Sequence, residues 1–192
     1  MNRLIIIGAG GHGSVVADAS AVPSVFIDEN ESMEGVIGKP SELHSIITDD
    51  DGVVVAIGDN RTRLAKLDAI DQLTTVVHNN AIVSDSATLG DGTVVFAGAI
   101  INVNVKIGVG CIVNTGATVD HDCELGDGVH ISPGANLGGN VRVGDCSWIG
   151  IGACVKHGVT IGNNVIVGAG AAVVQDVPDN VTVVGVPAKE IR

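Results

Sequence analysis

Leu125-Gly126-Asp127-Gly128-Val129-His130-Ile131-Ser132-Pro133-Gly134-Ala135-Asn136-Leu137-Gly138 carries an aliphatic residue at every sixth position: Leu125, Ile131 and Leu137. The same step runs back through Val119, Val113, Ile107, Ile101, Val95 and Leu89 to Val83. Forward it reaches Val143, Ile149, Val155, Ile161, Val167 and Val173, so sixteen successive hexads keep one frame. The next position is glycine in half of them: Gly90, Gly108, Gly126, Gly138, Gly144, Gly150, Gly162 and Gly168. The fifth is mostly small or β-branched, as in Ala87, Thr93, Ala99, Cys111, Ala117, Cys123, Ala135 and Ala153. An amphipathic helix needs a period of 3.6, which this run lacks. A six-residue period sustained over so many units reads as a β-solenoid. Each aliphatic residue stacks on its equivalent one coil away, at a strand spacing of about 4.8 Å. The small fifth residue lets a narrow interior close, and the glycine is expected to permit the tight turn between short strands.

Composition agrees with that architecture. Of 192 residues 45% are hydrophobic but only 2% aromatic, with no Tyr and 27 Gly, so Val, Ile, Leu and Ala must fill the interior. The net charge of −12 comes without clustered Lys or Arg, which argues against a nucleic-acid partner. Any phosphate must be held locally, by backbone N–H groups and a few cations. Cys111, Cys123, Cys146 and Cys154 show no metal-ligand spacing, so no metal is expected and a reduced chain is the plain reading. Cys111 and Cys123 fall on interior fifth positions and read as packing residues. No apolar run reaches membrane length, and a soluble cytoplasmic protein without a membrane partner is expected.

Residues 1–78 read differently. Arg3–Ile7 is a short apolar strand, followed by Gly8-Ala9-Gly10-Gly11-His12-Gly13 and a helical stretch near 14–20. A second strand, Val25–Ile27, ends at Asp28. A third, Val53–Ile57, runs into Gly58-Asp59-Asn60-Arg61 and a helix to about Ile70. This is a small Rossmann-like parallel α/β unit, joined to an all-β repeat domain with a C-terminal tail over 79–192. Gly8, Gly10 and Gly13 match the G-x-G-x-x-G fingerprint, which by itself also fits glycines that only make a tight turn. The unit is too short for two mononucleotide halves, so one nucleotide suits it better than NAD: phosphates at the glycine loop and helix N-terminus, base or ribose near Asp28. His12, inside the loop, fits a phosphate or sugar contact or simple packing at the helix start. His44 reads as exposed and His78 as part of the domain connector.

The repeat, [Leu/Ile/Val]-Gly-x-x-[small]-x, resembles the hexapeptide-repeat transferases. Ile7-Gly8-Ala9-Gly10-Gly11-His12-Gly13, Ile57-Gly58-Asp59-Asn60 with Arg63, and the ending Val184-Gly185-Val186-Pro187-Ala188-Lys189 extend the likeness over essentially the whole chain. Together they resemble the bacterial nucleotide-sugar and sialic-acid acetyltransferases, closest to the branch acetylating UDP-4-amino-4,6-dideoxy sugars for bacillosamine-type glycans. The resemblance implies a left-handed triangular β-helix with three hexads per coil. It further implies a homotrimer, acetyl-CoA as co-substrate, and a UDP-4-amino-sugar held by the small domain at Gly8, Gly10, Gly11, His12, Gly13, Asp28, Gly58, Asn60 and Arg63.

With three hexads per coil, residues 18 apart share a column. Val103, His121, Gly139 and His157 form one; His130 and Trp148 stand in another, and Asn114 and Ser132 in a third. Gly139 beside His121 is expected to leave a slot for a pantetheine arm and an exposed N–H. Carried over from the family, His121 is the general base and Asp122 orients it. The Gly139 N–H, with Gly138, Asn114 and His130 nearby, serves the acetyl group or its oxyanion. The family's best-known member has Glu where this chain has Asp122, so the reach of the shorter arm is open.

Other readings are a sialic-acid O-acetyltransferase, a GDP-amino-sugar N-acetyltransferase, a non-catalytic nucleotide sensor, and a γ-type carbonic anhydrase. The last needs three His around zinc. His121 and His157 lie two coils apart, but no His follows His157.

Overall fold

The computed structural model describes residues 1–191. The chain opens with β1 (Arg3–Ile7), α1 (Gly11–Ala19) and β2 (Ser24–Ile27). A 3₁₀ turn at Pro40–Glu42 and the one-turn helix α2 (Leu43–Ile46) follow, then β3 (Asp51–Val55) and α3 (Asn60–Leu67). The three strands pair in parallel in the order β2-β1-β3. β1 is apolar from Leu4 to Ile7 because it is covered on both sides. Leu4 and Ile6 face one cluster; Ile5 and Ile7 face another, with Val53, Val55, Leu43 and Leu67. The cluster around Leu4 and Ile6 also takes in Val76, Val94, Phe96 and Ile112 from the repeat. The two parts of the chain therefore share a core.

From Val76 onward two-residue strands wind into a parallel β-helix of triangular section. The first face carries Val76–Val77, Val94–Val95, Ile112–Val113, His130–Ile131, Trp148–Ile149 and Ile166–Val167. The second carries Ile82–Val83, Ile100–Ile101, Thr118–Val119, Asn136–Leu137, Cys154–Val155 and Ala172–Val173. The third carries Thr88–Leu89, Lys106–Ile107, Glu124–Leu125, Arg142–Val143 and Thr160–Ile161. Each of these pairings joins residues 18 apart, and only the last turn is shorter, Ile166 pairing with Thr182. Val76 pairs with Val94, so the solenoid begins slightly earlier than the break after residue 78. An antiparallel hairpin, Thr182–Val184 with Lys189–Ile191, closes the first face.

The interior is the expected aliphatic stack, with Cys111 and Cys123 fully buried in it. The turns are built otherwise than the repeat alone suggests. Left-handed φ recurs at the fourth position of fourteen successive hexads, through Gly92, Gly98, Asn104, Gly110, Gly116, Asp122, Gly128, Gly134, Asn140, Cys146, Gly152, Gly158, Asn164 and Gly170. The second-position glycines serve coil stacking instead. A Cβ on Gly90 would stand 2.5 Å from the Gly108 carbonyl of the next coil, and one on Gly138 2.8 Å from the His157 nitrogen. No side chain fits there.

The candidate acetyl-transfer site

His121 and Asp122 occupy the corner between the second and third faces, after Thr118–Val119 and before Glu124–Leu125. Asp122 has φ 58°, a conformation Asp tolerates better than most residues. His121 Nδ1 and Asp122 Oδ2 are 2.7 Å apart, so the shorter acidic arm does reach the ring. Asp122 Oδ1 accepts from Asn104 Nδ2 at 3.1 Å, and Asp120 Oδ1 accepts from the His121 N–H at 2.8 Å. Hydrogen bonding to Asp122 raises the His121 pKa above the ordinary 6.5, with Asp120 adding to it. The same bond holds Asp122 below the usual carboxylate range, helped by Asn104. The imidazole stays half exposed. Nδ1–H then points at the carboxylate and the free Nε2 can accept a proton.

The slot expected at Gly139 is filled by the chain itself. The His121 ring lies over Gly139, where a Cβ would stand 2.5 Å from Nε2. Among the described residues none accepts a hydrogen bond from the Gly139 N–H, whereas the Gly138 N–H donates to Val155 O at 3.0 Å. Gly139 thus seats the ring and leaves one donor beside it. Gly139→Ala should fold normally, since the clash is with the end of a mobile side chain, yet displace the imidazole. A large fall in kcat with an unchanged melting temperature is expected; unaltered kcat counts against the assigned seat.

His130 lies on the first face, which in a triangular section is opposite the His121 corner. The two histidines share a sequence neighbourhood but not a site within one chain, because half a coil separates them and turns them to opposite sides. His130 stacks on Trp148 with ring centroids 5.7 Å apart and planes 4° from parallel. Asn114 Oδ1 accepts from the Thr115 N–H at 2.8 Å, which turns its amide to donate from Nδ2 to His130 Nε2 at 3.1 Å. His130 therefore carries its proton on Nδ1. Burial, then the charges of Arg63 and His12, pull its pKa down to about 3, so it stays neutral.

The glycine-loop residues lie at the carboxyl ends of β1, β2 and β3, where an open α/β sheet commonly binds ligands. Gly8 has φ 110°, and a Cβ there would meet Ala56 O at 2.8 Å; a Cβ on Gly13 would collide with the Gly8 carbonyl. Gly10, Gly11 and Gly58 have open space in that direction. First and last glycines thus set the turn and the helix packing, while the middle ones leave backbone open to a phosphate. Asp28 pins the loop: Oδ2 accepts from the Ala9 N–H at 2.8 Å and Oδ1 from the Asn30 N–H at 2.9 Å. Those bonds hold its pKa below the usual range. His12 packs edge-on against Phe96, centroids 5.6 Å apart, and among the described residues nothing partners its buried Nε2. Burial, then the Arg63 charge, lowers its pKa to about 4.

Asn60 and Arg63 do not close over a nucleotide. Arg63 is 1% exposed. It donates from Nε to Gly110 O at 2.7 Å, from Nη1 to Ile57 O and Gly58 O, and from Nη2 to Gly128 O and Asn60 Oδ1, both at 2.8 Å. Asn60 Nδ2 donates to Cys146 O and Ser147 O. The first turn of α3 faces the solenoid, not the strand ends, and both residues tie the two parts together. A cavity of about 390 Å³ lies beside them, lined by Gly58, Asp59, Arg61, His130 and Trp148 among others. A larger depression of about 690 Å³ on the third face is lined by Lys106, Glu124 and Arg142 and contains no histidine. Among the described residues no group of three or more His, Cys, Asp or Glu could hold a metal ion.

Residues 3–70 match the PglD N-terminal domain, and residues 140–175 match the bacterial transferase hexapeptide of six repeats. The chain superimposes on the acetyltransferase domain of PglB from Neisseria gonorrhoeae FA1090 in complex with acetyl coenzyme A. That likeness has a TM-score of 0.95 and 44% identity, with each chain covered in full. The chain belongs to this family of hexapeptide-repeat acetyltransferases. The solenoid is thus the left-handed kind. PerB from Caulobacter crescentus, solved with CoA and GDP-perosamine, is 41% identical, with a TM-score of 0.93 over 100% of this chain and 98% of that one. The UDP-N-acetylbacillosamine N-acetyltransferase of Bacillus subtilis (strain 168) is 39% identical over 111 residues, and the match spans 51% of that protein and 49% of this chain.

The tertiary structure adds groups that motif reading did not single out: Asn104 behind Asp122, Asn102 behind Asp120, and Phe96 against His12. The two asparagines were reachable by stepping back 18 residues from each acid. Phe96 had no such signal.

Proposed function

We propose that this protein transfers acetyl from acetyl-CoA to the 4-amino group of a nucleotide-linked amino sugar, preferentially a UDP-linked 4-amino-4,6-dideoxy sugar. The observation that carries the reading is the half-exposed His121–Asp122 pair seated over Gly139 beside an uncommitted N–H. The amine nitrogen attacks the thioester carbonyl and forms the new C–N bond. His121 Nε2 takes the proton that the nitrogen sheds, and Asp122 supports the imidazolium. The Gly139 N–H donates to the oxyanion of the tetrahedral intermediate. The C–S bond then breaks and the departing thiolate takes the proton from His121.

Because His121 and the His130–Trp148 stack stand on opposite sides of one solenoid, a site using both draws them from two chains. That favours a homotrimer with acetyl-CoA in the groove between solenoids. Sedimentation should give three times the chain mass; a fully active monomer would overturn the shared site.

The glycine loop with Asp28 is assigned to the nucleotide: pyrophosphate on backbone N–H groups, and base or ribose near the carboxylate. Thiol-release assays with UDP- and GDP-linked 4-amino sugars test the choice. We expect higher kcat/KM for the UDP acceptor. Asp28→Ala should raise KM for the sugar nucleotide and leave that for acetyl-CoA unaltered. Equal turnover of both acceptors, or an unmoved sugar KM in the variant, removes the basis for a uridine site.

A further inference from the structure

His121 and Asp122 form an exposed pair. In water such a pair contributes little unless its geometry is held by something else. The coil above supplies that hold. Asn104 sits 18 residues before Asp122 on the same corner, and both have left-handed φ, 61° and 58°. Its amide Nδ2 donates to Asp122 Oδ1 at 3.1 Å, on the oxygen that His121 does not use. Asn104 is itself anchored, its N–H donating to Ser86 Oγ at 3.0 Å. One residue on each side of His121 is braced the same way: Asn102 Nδ2 donates at 2.8 Å to Asp120 Oδ1, the atom that also accepts the His121 N–H.

We infer that Asn104 is a positioning residue for acetyl transfer: by holding Asp122 Oδ1 from the coil above, it aims Oδ2 at His121 Nδ1 and keeps Nε2 free to take the proton. The inference rests on the assignment of His121 as base. Without the amide, the Asp122 carboxylate is free to swing out into solvent, and the imidazole loses both its orientation and part of the anionic support for its charged form. Corner geometry alone does not require this side chain, since the same column continues with Asn140 and Gly158, and glycine fills the fourth position at most other corners.

The groups that bear on His121 electrostatically are few. Asp120 and Asp122 stand on its own corner. Lys106 and Glu124 flank Asp122 on the third face, in the same shallow depression as Asn104. From the coil below come the uncharged Gly139 and Asn140, with His157 one coil further. Of these groups only the Asp122 carboxylate is held by the Asn104 side chain.

Two substitutions separate aiming from mere corner-forming. Asn104→Gly keeps the left-handed turn and removes the donor. Asn104→Asp keeps size and turn but sets a carboxylate against Asp122. With acetyl-CoA and a UDP-linked 4-amino sugar, Asn104→Gly should lower kcat about two- to tenfold, the value of one hydrogen bond. Both KM values should stay unchanged, and the acid limb of the pH profile should move to lower pH. Asn104→Asp should move that limb to higher pH, because a second negative charge favours the imidazolium. Melting temperatures of both variants should match the parent. Parent-like kcat and pH profile in both variants, with His121→Ala inactive, overturns the role of Asn104 alone. Equal losses with an unmoved acid limb also overturn it, since a corner defect would give that result. An active His121→Ala overturns the base and this inference together.

Discussion

Replacing His121 with alanine should lower kcat by about 10²–10⁴, the usual worth of a positioned general base, while KM for acetyl-CoA should change little. The split follows from when the base acts. In the proposed mechanism Nε2 takes the proton only as the amine bonds to carbon, so its loss should be felt in the transition state and not in ground-state binding. The pH profile supplies a second readout. As the proposed base His121 would work in its neutral form, and its hydrogen bond to Asp122 raises its pKa above the ordinary 6.5. Activity therefore rises with pH along an acid limb placed higher than an isolated histidine would put it. Asp122→Asn removes the charge and moves that limb down, at a smaller cost in kcat. His130, with its pKa near 3, adds no limb in the working range. A His121→Ala protein that keeps parent-like kcat would shift the assignment to another group.

Arg63→Met should be the most destabilising single change, by about 3–5 kcal/mol, the range for removing one member of a buried charged network. Methionine keeps much of the volume but none of the donors. Four backbone carbonyls lose a partner, at Ile57, Gly58, Gly110 and Gly128, together with Asn60 Oδ1. Among the described residues Arg63 makes no salt bridge, so carbonyl dipoles carry most of its solvation, with Asp59 adding a weaker attraction. Burial pulls its pKa down to about 10, which still leaves it charged at neutral pH. Gly110 and Gly128 lie on successive coils of the corner against which α3 packs, and Leu67 touches the Gly110 position closely enough to exclude a side chain there. The loss should loosen the N-terminal α/β domain from the solenoid. Thermal unfolding should show Tm lower by roughly 10 °C. A Tm within about 2 °C of the parent would mean that α3 is held by its apolar contacts alone.

Some of this was determined by the sequence alone. A period of six is a property of the chain in one dimension, and only a coil of three short strands per turn puts every sixth side chain inside. That frame settled the solenoid, the burial of Cys111 and Cys123, and the column joining His121 to Gly139. The glycine loop was legible for a similar reason, because Gly8 and Gly13 stand where a Cβ cannot fit. Direction in space was decided by the tertiary structure. Asn60 and Arg63 follow a strand end, the usual place for ligand contacts, yet the first turn of α3 rotates them into the solenoid, where unpaired carbonyls need donors. His121 and His130 are nine residues apart, yet a triangular section sends them to opposite sides. The slot at Gly139 was legible as missing volume; that the His121 ring itself fills it depends on a side-chain rotamer. Spacing names the residues that share a corner, but the left-handed backbone at Asn104 and Asp122 decides which of their atoms meet.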